Sequence, residues 1–354
     1  MDLDRNEVEA FAMQVAGLFT GAVTTAMVVV GDRLGLYRAL AGSGPVTPAQ
    51  LAANTDTHER YVREWLAQQA AAGVVGYESR DDTFTLPPEH AAVLADEDSP
   101  AAMAGAALLP TGLFRRTDRI VQAFRTGEGV PWDEQDEAVF EGTERFFRVS
   151  YRNSLVEEWI PALEGVAARL EAGARVADVG SGRGAALLIL AEAFPRSRFV
   201  GYDTHPASVA VARTRAAEAG VADRVRFEVA GCHGFPNEGY DLVCFFDTLH
   251  DLGDPVGAAA HARHALAETG TVMLVEPVAC DELGANLADN PLAAMQYAAS
   301  TGLCVANSLS QPVGLALGAQ AGEARLRDVL AEAGYRHVRR AAENPFNMVL
   351  EARP

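Results

Sequence analysis

The chain has 354 residues, 49% of them hydrophobic and 22% charged, enough for two domains and at least one large core. A net charge of −19 works against sequence-independent attraction to nucleic acid or to an anionic membrane surface. The cysteines, Cys232, Cys244, Cys280 and Cys304, are widely spaced with no C-x-x-C pair, so neither a disulfide framework nor a metal site is expected.

In chain order, the N-terminal stretch MDLDRNEVEA is acidic where a secretory signal is basic, and a cytoplasmic location is expected. Residues 10–31 carry no charge. Gln14, Thr20, Thr24, Thr25 and two glycines dilute the apolar character that a membrane span needs. The expectation is a helix buried on most of its surface in an interface, and hence a homodimer. A helical pattern over 23–42 stops at Ala41-Gly42-Ser43-Gly44-Pro45.

Residues 46–75 read as two helices joined by a short turn. Thr47 caps the first, with Pro48 at its first position, and Thr57 caps the second. Tyr61, Trp65 and Leu66 share one face of the second. VVGYESRDDTFTLP then reads as two short strands around Asp81-Asp82, which completes a winged-helix pattern. Arg60 and Arg63 are outnumbered locally by Asp56, Glu59 and Glu64, and the wing carries Glu78, Asp81 and Asp82. A DNA reader needs a positive face, so a structural module is expected rather than a ligand-sensing regulator.

Residues 99–165 read as mainly helical. From Ala174 onward, apolar strands alternate with helices of 10–15 residues, the pattern of a Rossmann-like doubly wound parallel sheet in an α/β domain. YRHVRRA and NPFNMVLEARP have no helix between them, which predicts a terminal antiparallel hairpin. The expected domains are a helical winged-helix portion, 1–150, and a second, 151–354.

The strongest motif is VADVGSGRG, residues 176–184. Gly180, Gly182 and Gly184 allow a tight turn and close approach to a ligand. Asp203 ends the next strand, where a carboxylate accepts hydrogen bonds from a ribose diol. The spacing departs from the dinucleotide fingerprint, and Asp178 stands two residues before the first glycine. A carboxylate there repels a pyrophosphate and suits an ammonium group. S-adenosylmethionine has a ribose, an amino acid tail and no phosphate. FFDTLHDLGDP, residues 245–255, puts His250-Asp251 where an apolar strand ends. From the residues alone, this histidine is a base, a metal ligand or a backbone-bonded neighbour of a helix. His261 and His264 read as solvated.

With these motifs the chain resembles the class I S-adenosylmethionine-dependent methyltransferases. More closely, it is similar to the actinobacterial small-molecule methyltransferases with an N-terminal winged-helix dimerisation domain, and in layout to plant O-methyltransferases. GDRLGLYRAL, RYVREWLAQQAAAG, FRTGEGV, GTERFFR and SLSQPVGLALGAQAGEARLR look like family segments. The resemblance implies a homodimer that does not touch DNA, with a small-molecule acceptor bound between the domains. It implies His250 as general base and Glu276, at the end of LVEP, as the carboxylate that orients it. It implies Tyr151 over the methionine tail and Phe246 on the adenosine, and an acceptor pocket in 292–311 with Met295, Tyr297, Cys304 and Asn307. Many relatives have an acid near the adenine; here that place reads Gly231-Cys232. The expected reaction is methyl transfer to a hydroxyl of a secondary metabolite, giving S-adenosylhomocysteine. The alternatives are N- or C-methylation, or non-methylating chemistry on the same fold.

Overall fold

The computed structural model describes residues 3–354, which form two compact units. One runs up to Phe114 and takes in Glu137–Val149; the other comprises Arg115–Asp136 and Ser150–Pro354. The chain therefore passes between the units three times. Segment 115–136 joins the second unit through backbone contacts: Val130 N donates to Ala306 O at 2.8 Å and Trp132 N to Asn307 Oδ1 at 3.1 Å. Gly129 permits this approach, since a Cβ there would lie 2.0 Å from Ser310 N.

The first unit holds the winged helix. Helix Pro48–Asn54 is capped by Thr47, which accepts from Gln50 N while the Gln50 side chain accepts from Thr47 N. Helix Glu59–Ala71 is capped by His58, not Thr57: His58 Nδ1 accepts from Arg60 N at 3.2 Å, whereas the Thr57 hydroxyl bonds Thr55. Trp65 and Leu66 are buried, but Tyr61 is 79% exposed. Tyr61 lies in the first turn and packs edge-on against His58 instead of reaching the core. Strands β1 (Gly76–Glu78) and β2 (Thr83–Thr85) pair antiparallel. Arg60 pairs with Glu64 at 2.5 Å and Arg63 with Asp82 at 2.9 Å, so both arginines are already matched by acids of their own unit.

The first helix is left uncovered by its own chain. It spans Arg5–Arg33, and only Val29, Gly31 and Asp32 are buried. Phe11, Met13, Leu18, Phe19 and Val23 are exposed, because nothing in the described chain covers them. Among the described residues it is the one helix long and apolar enough to cross a membrane, by length and composition. Its last turn is anchored by Asp32, which accepts two bonds from Arg145 at 2.6 and 3.0 Å. The helical pattern expected over 23–42 is interrupted by Gly35 at φ 69° and resumes as Leu36–Leu40.

The second unit is a seven-stranded sheet. Its strands are β3 (Arg175–Val179), β4 (Arg198–Asp203), β5 (Val225–Val229), β6 (Tyr240–Phe246), β7 (Leu266–Pro277), β8 (His337–Glu343) and β9 (Asn347–Arg353). The order is β5-β4-β3-β6-β7-β9-β8. β3 to β7 run parallel, while β9 is antiparallel to both β7 and β8. Leu242, Val243, Cys244 and Phe245 are buried in an unbroken run, as a strand covered on both faces requires. The strand order reverses between β3 and β6, and the crevice beyond their carboxyl ends is where such sheets bind ligands.

Candidate active site

The glycine turn leaves β3 and folds back under the end of β4. Gly180 and Gly182 have φ of 81° and 51°. A Cβ on Gly180 would sit 2.3 Å from Thr248 Cγ2, whereas one on Gly182 would meet nothing within 4 Å. Asp203 holds the turn: its carboxylate accepts from Gly182 N and from His205 N, both at 2.8 Å. Burial pushes the Asp203 pKa up, and the two backbone donors offset part of that rise. Asp178 is 1% exposed and its Oδ1 has no hydrogen-bond partner. Burial, with the Asp203 charge nearby, holds its pKa well above the carboxylate range.

Two further acids stand at neighbouring strand ends. Asp247 follows β6 and Glu276 lies near the end of β7, so four adjacent strands each carry a carboxylate at this edge, three of them buried and Asp247 half-buried. Asp247 is assigned no role by the sequence, although it visibly ends the apolar run 242–246, as Asp203 ends another. It adopts φ 51°, rare for a residue with a side chain. Its carboxylate accepts from Tyr151 Oη at 3.1 Å and Asn347 Nδ2 at 2.7 Å. Burial raises its pKa well above the usual range, and the Glu276 charge adds to this.

His250 lies in a short turn, Leu249–Asp251, and is buried. Its Nδ1 bonds Glu276 Oε2, and Glu276 Oε1 accepts from the His250 backbone N at 3.4 Å. Its Nε2 faces Asp251 Oδ1 at 3.1 Å. Burial alone pulls the imidazole pKa down; the Glu276 and Asp251 charges outweigh it and hold the pKa well above the histidine value. A ring nitrogen of His250, a carboxylate oxygen of Asp251 and Cys304 Sγ lie within 4.8 Å of one another. Burial, with Asp251 adding to it, pushes the Cys304 thiol up to about 12. Asn307 Nδ2 donates to the backbone O of Asp251, the residue after His250, at 3.1 Å.

Other sequence picks lie apart from that cluster. Tyr297 Oη accepts from Asn286 Nδ2 at 3.3 Å, and Met295 is 45% exposed. Tyr151 and Phe246 pack together, ring centroids 5.1 Å apart. In the Gly231-Cys232 segment, Cys232 Sγ lies 3.4 Å from His233 Nδ1, and His233 Nε2 lies 3.3 Å from Asp254. Burial, with Asp254 adding to it, pushes the Cys232 thiol up to about 11. A Cβ on Gly231 would meet only Thr204, at 3.8 Å, so the backbone there is open to a ligand. His261 is not solvated as expected: its Nε2 bonds Phe235 O at 2.8 Å. His264 is exposed and bonds Ala260 O.

An open glycine, an unpartnered buried carboxylate and a row of acids fit a ligand with hydroxyls and positive charge, and repel one with phosphates. The comparisons agree. A family model described as an Rv2258c-like winged HTH domain matches residues 22–96, and one described as a methyltransferase domain matches residues 170–334. The mitomycin biosynthesis 6-O-methyltransferase of Streptomyces lavendulae is 27% identical over 276 residues, covering 75% of this chain and 72% of that protein. The solved structure of the mitomycin 7-O-methyltransferase MmcR is similar with a TM-score of 0.70 at 22% identity, covering 99% of this chain and 100% of that one. Human N-acetylserotonin methyltransferase, solved in complex with its methyl donor, has a TM-score of 0.70 at 17% identity, covering 97% of each chain. The chain thus carries a methyltransferase domain after an N-terminal Rv2258c-like winged HTH domain, and shares its fold with methyltransferases solved with S-adenosylmethionine or S-adenosylhomocysteine.

Proposed function

We propose that this enzyme methylates a hydroxyl of a small secondary metabolite, aromatic or polyketide-like, with His250 as general base and Glu276 as its positioning partner. The observation that carries this reading is the buried His250–Glu276 pair, set at neighbouring strand ends. The oxygen-directed relative of mitomycin biosynthesis supports a hydroxyl acceptor.

In this reading Asp203 takes the ribose hydroxyls and Asp178 the amino-acid ammonium. Gly180, Gly182, Gly231, Cys232, Phe246 and Tyr151 complete the cofactor's surroundings. When bound, the cofactor supplies a methyl group on a positively charged sulfur. The remaining work belongs to the chain. A phenol with a pKa of about 10 is protonated at neutral pH. Neutral His250 accepts that proton at Nε2, while its Nδ1–H keeps donating to Glu276, whose charge stabilises the imidazolium. In the structure Nε2 faces Asp251, so the acceptor hydroxyl must displace Asp251 from that nitrogen. Cys304 and Asn307 border this position; Met295 and Tyr297 are assigned as outer acceptor contacts. A positioned base contributes about 10²–10⁴-fold, and orientation of the acceptor supplies much of the rest.

The same proposal makes the exposed helix Arg5–Arg33 the seam of a homodimer. Four free cysteines suit a reducing, cytoplasmic setting.

The test is transfer of a labelled methyl group to a panel of phenols, carboxylic acids and amines. A phenolic acceptor should be preferred. His250→Ala should lower kcat by about 10²–10⁴-fold while leaving cofactor affinity nearly unchanged. Near wild-type turnover in that variant would sink the base assignment.

A further inference from the structure

Among the four strand-end carboxylates, Asp247 alone has no role in the reaction proposed above. Asp203 clamps the glycine turn, Glu276 bonds His250, and Asp178 keeps an unpartnered Oδ1. Asp247 is fixed as firmly as these. Its backbone N donates to Val275 O at 2.8 Å, and Tyr151 and Asn347 each donate to one of its carboxylate oxygens. Both of these donors are neutral. The next residue, Thr248, packs on Gly180, which sets Asp247 one residue from the glycine turn. Its left-handed backbone, which Asp56, Asp82, Val313 and Ala316 also adopt, is kept where the surroundings over-determine it.

A half-buried carboxylate whose hydrogen bonds come from neutral donors is costly in an empty cleft and favourable beside a bound cation. The cofactor and its product differ in one charge: the sulfur of S-adenosylmethionine is a cationic sulfonium, and that of S-adenosylhomocysteine is neutral. Ribose, adenine and amino acid tail are common to both. We propose that Asp247 is the counter-charge to the sulfonium, and that it makes the enzyme hold the methyl donor in preference to the spent product. This rests on the cofactor placement proposed above.

Binding to the full-length protein tests it by calorimetry with three ligands: S-adenosylmethionine, S-adenosylhomocysteine and sinefungin, whose amine restores a positive charge near the sulfur position. The variant is Asp247→Asn, which tolerates a left-handed backbone and keeps an acceptor for Asn347. It should weaken both cationic ligands about tenfold, about 1.4 kcal/mol, and leave the neutral product within about twofold. Parallel weakening of all three would mean that Asp247 merely builds the pocket, and unchanged affinities that it lies away from the sulfur; either overturns the proposal. Asp203→Ala separates the two levels. If it weakens all three ligands, the placement stands whatever Asp247 does. If it weakens none, the placement fails and this inference falls with it.

Discussion

His250 is bracketed by Glu276 at Nδ1 and Asp251 at Nε2, with Cys304 and Asp247 as further titratable neighbours. Their combined charge outweighs burial and raises its pKa, and only neutral imidazole accepts a proton. Turnover should therefore rise with pH above the range of an ordinary histidine, about 6.5. Glu276→Gln removes one raising charge, so the rise should move to lower pH while kcat falls. Asp251→Asn should move it the same way with Nδ1 still anchored. The measurement is kcat against pH for the three proteins, and coincident profiles would count against the mechanism. Asp178 makes a separate forecast. Its folded pKa is raised, so between its unfolded value of about 3.9 and the folded one the native state binds more protons. Stability contributed by this group is therefore lost as pH rises through that window. Asp178→Asn should raise the ligand-free melting temperature at neutral pH, by an amount equivalent to about 1–3 kcal/mol, and impair cofactor binding. A variant less stable than wild type at neutral pH would contradict the orphaned carboxylate.

The turn between β3 and the following helix, Ala185–Ala193, depends on its glycines for two distinct reasons. Gly182 needs only a left-handed backbone, since its surroundings are open; Gly180 needs that and the space filled by Thr248. Gly182→Ala should cost about 1–2 kcal/mol from the backbone alone. Gly180→Ala should cost a further ~1–3 kcal/mol for overpacking against Thr248. Denaturant melts of both variants check the ranking, and equal destabilisation would show that Thr248 yields freely. Cofactor affinity should fall in both, because each carries part of the same loop.

At the scale of the whole molecule, the open question is what covers the helix Arg5–Arg33. Phe11, Leu18, Phe19 and Val23 lie exposed along it, and patches of this kind mark interaction surfaces. With a second copy of the chain as partner, wild type should be a dimer at low micromolar concentration by light scattering. Leu18→Glu with Val23→Glu should give monomers that still bind S-adenosylmethionine, since both positions lie outside the second unit. Monomeric wild type would refute the dimer.

Local pattern determined a good deal by itself. The glycine turn, Asp203 at a strand end and the helix cap at Thr47 each follow from residues a few positions apart, because tight turns and caps are short-range constraints. The alternation of strands and helices likewise determined the parallel sheet and its terminal hairpin. The exposure of Arg5–Arg33 was not legible, since an uncharged helix looks the same whether its own chain or a partner covers it. Nor was the cap at His58, or Tyr61 turned away from the core, where the edge of the core decides burial. Asp247 shows the limit most clearly. Its partners Tyr151 and Asn347 lie about a hundred residues away on either side, and only the folded sheet brings the four acids to one edge. Hydrogen bonds and charge act through space, so which carboxylates share a cleft is decided by tertiary structure alone.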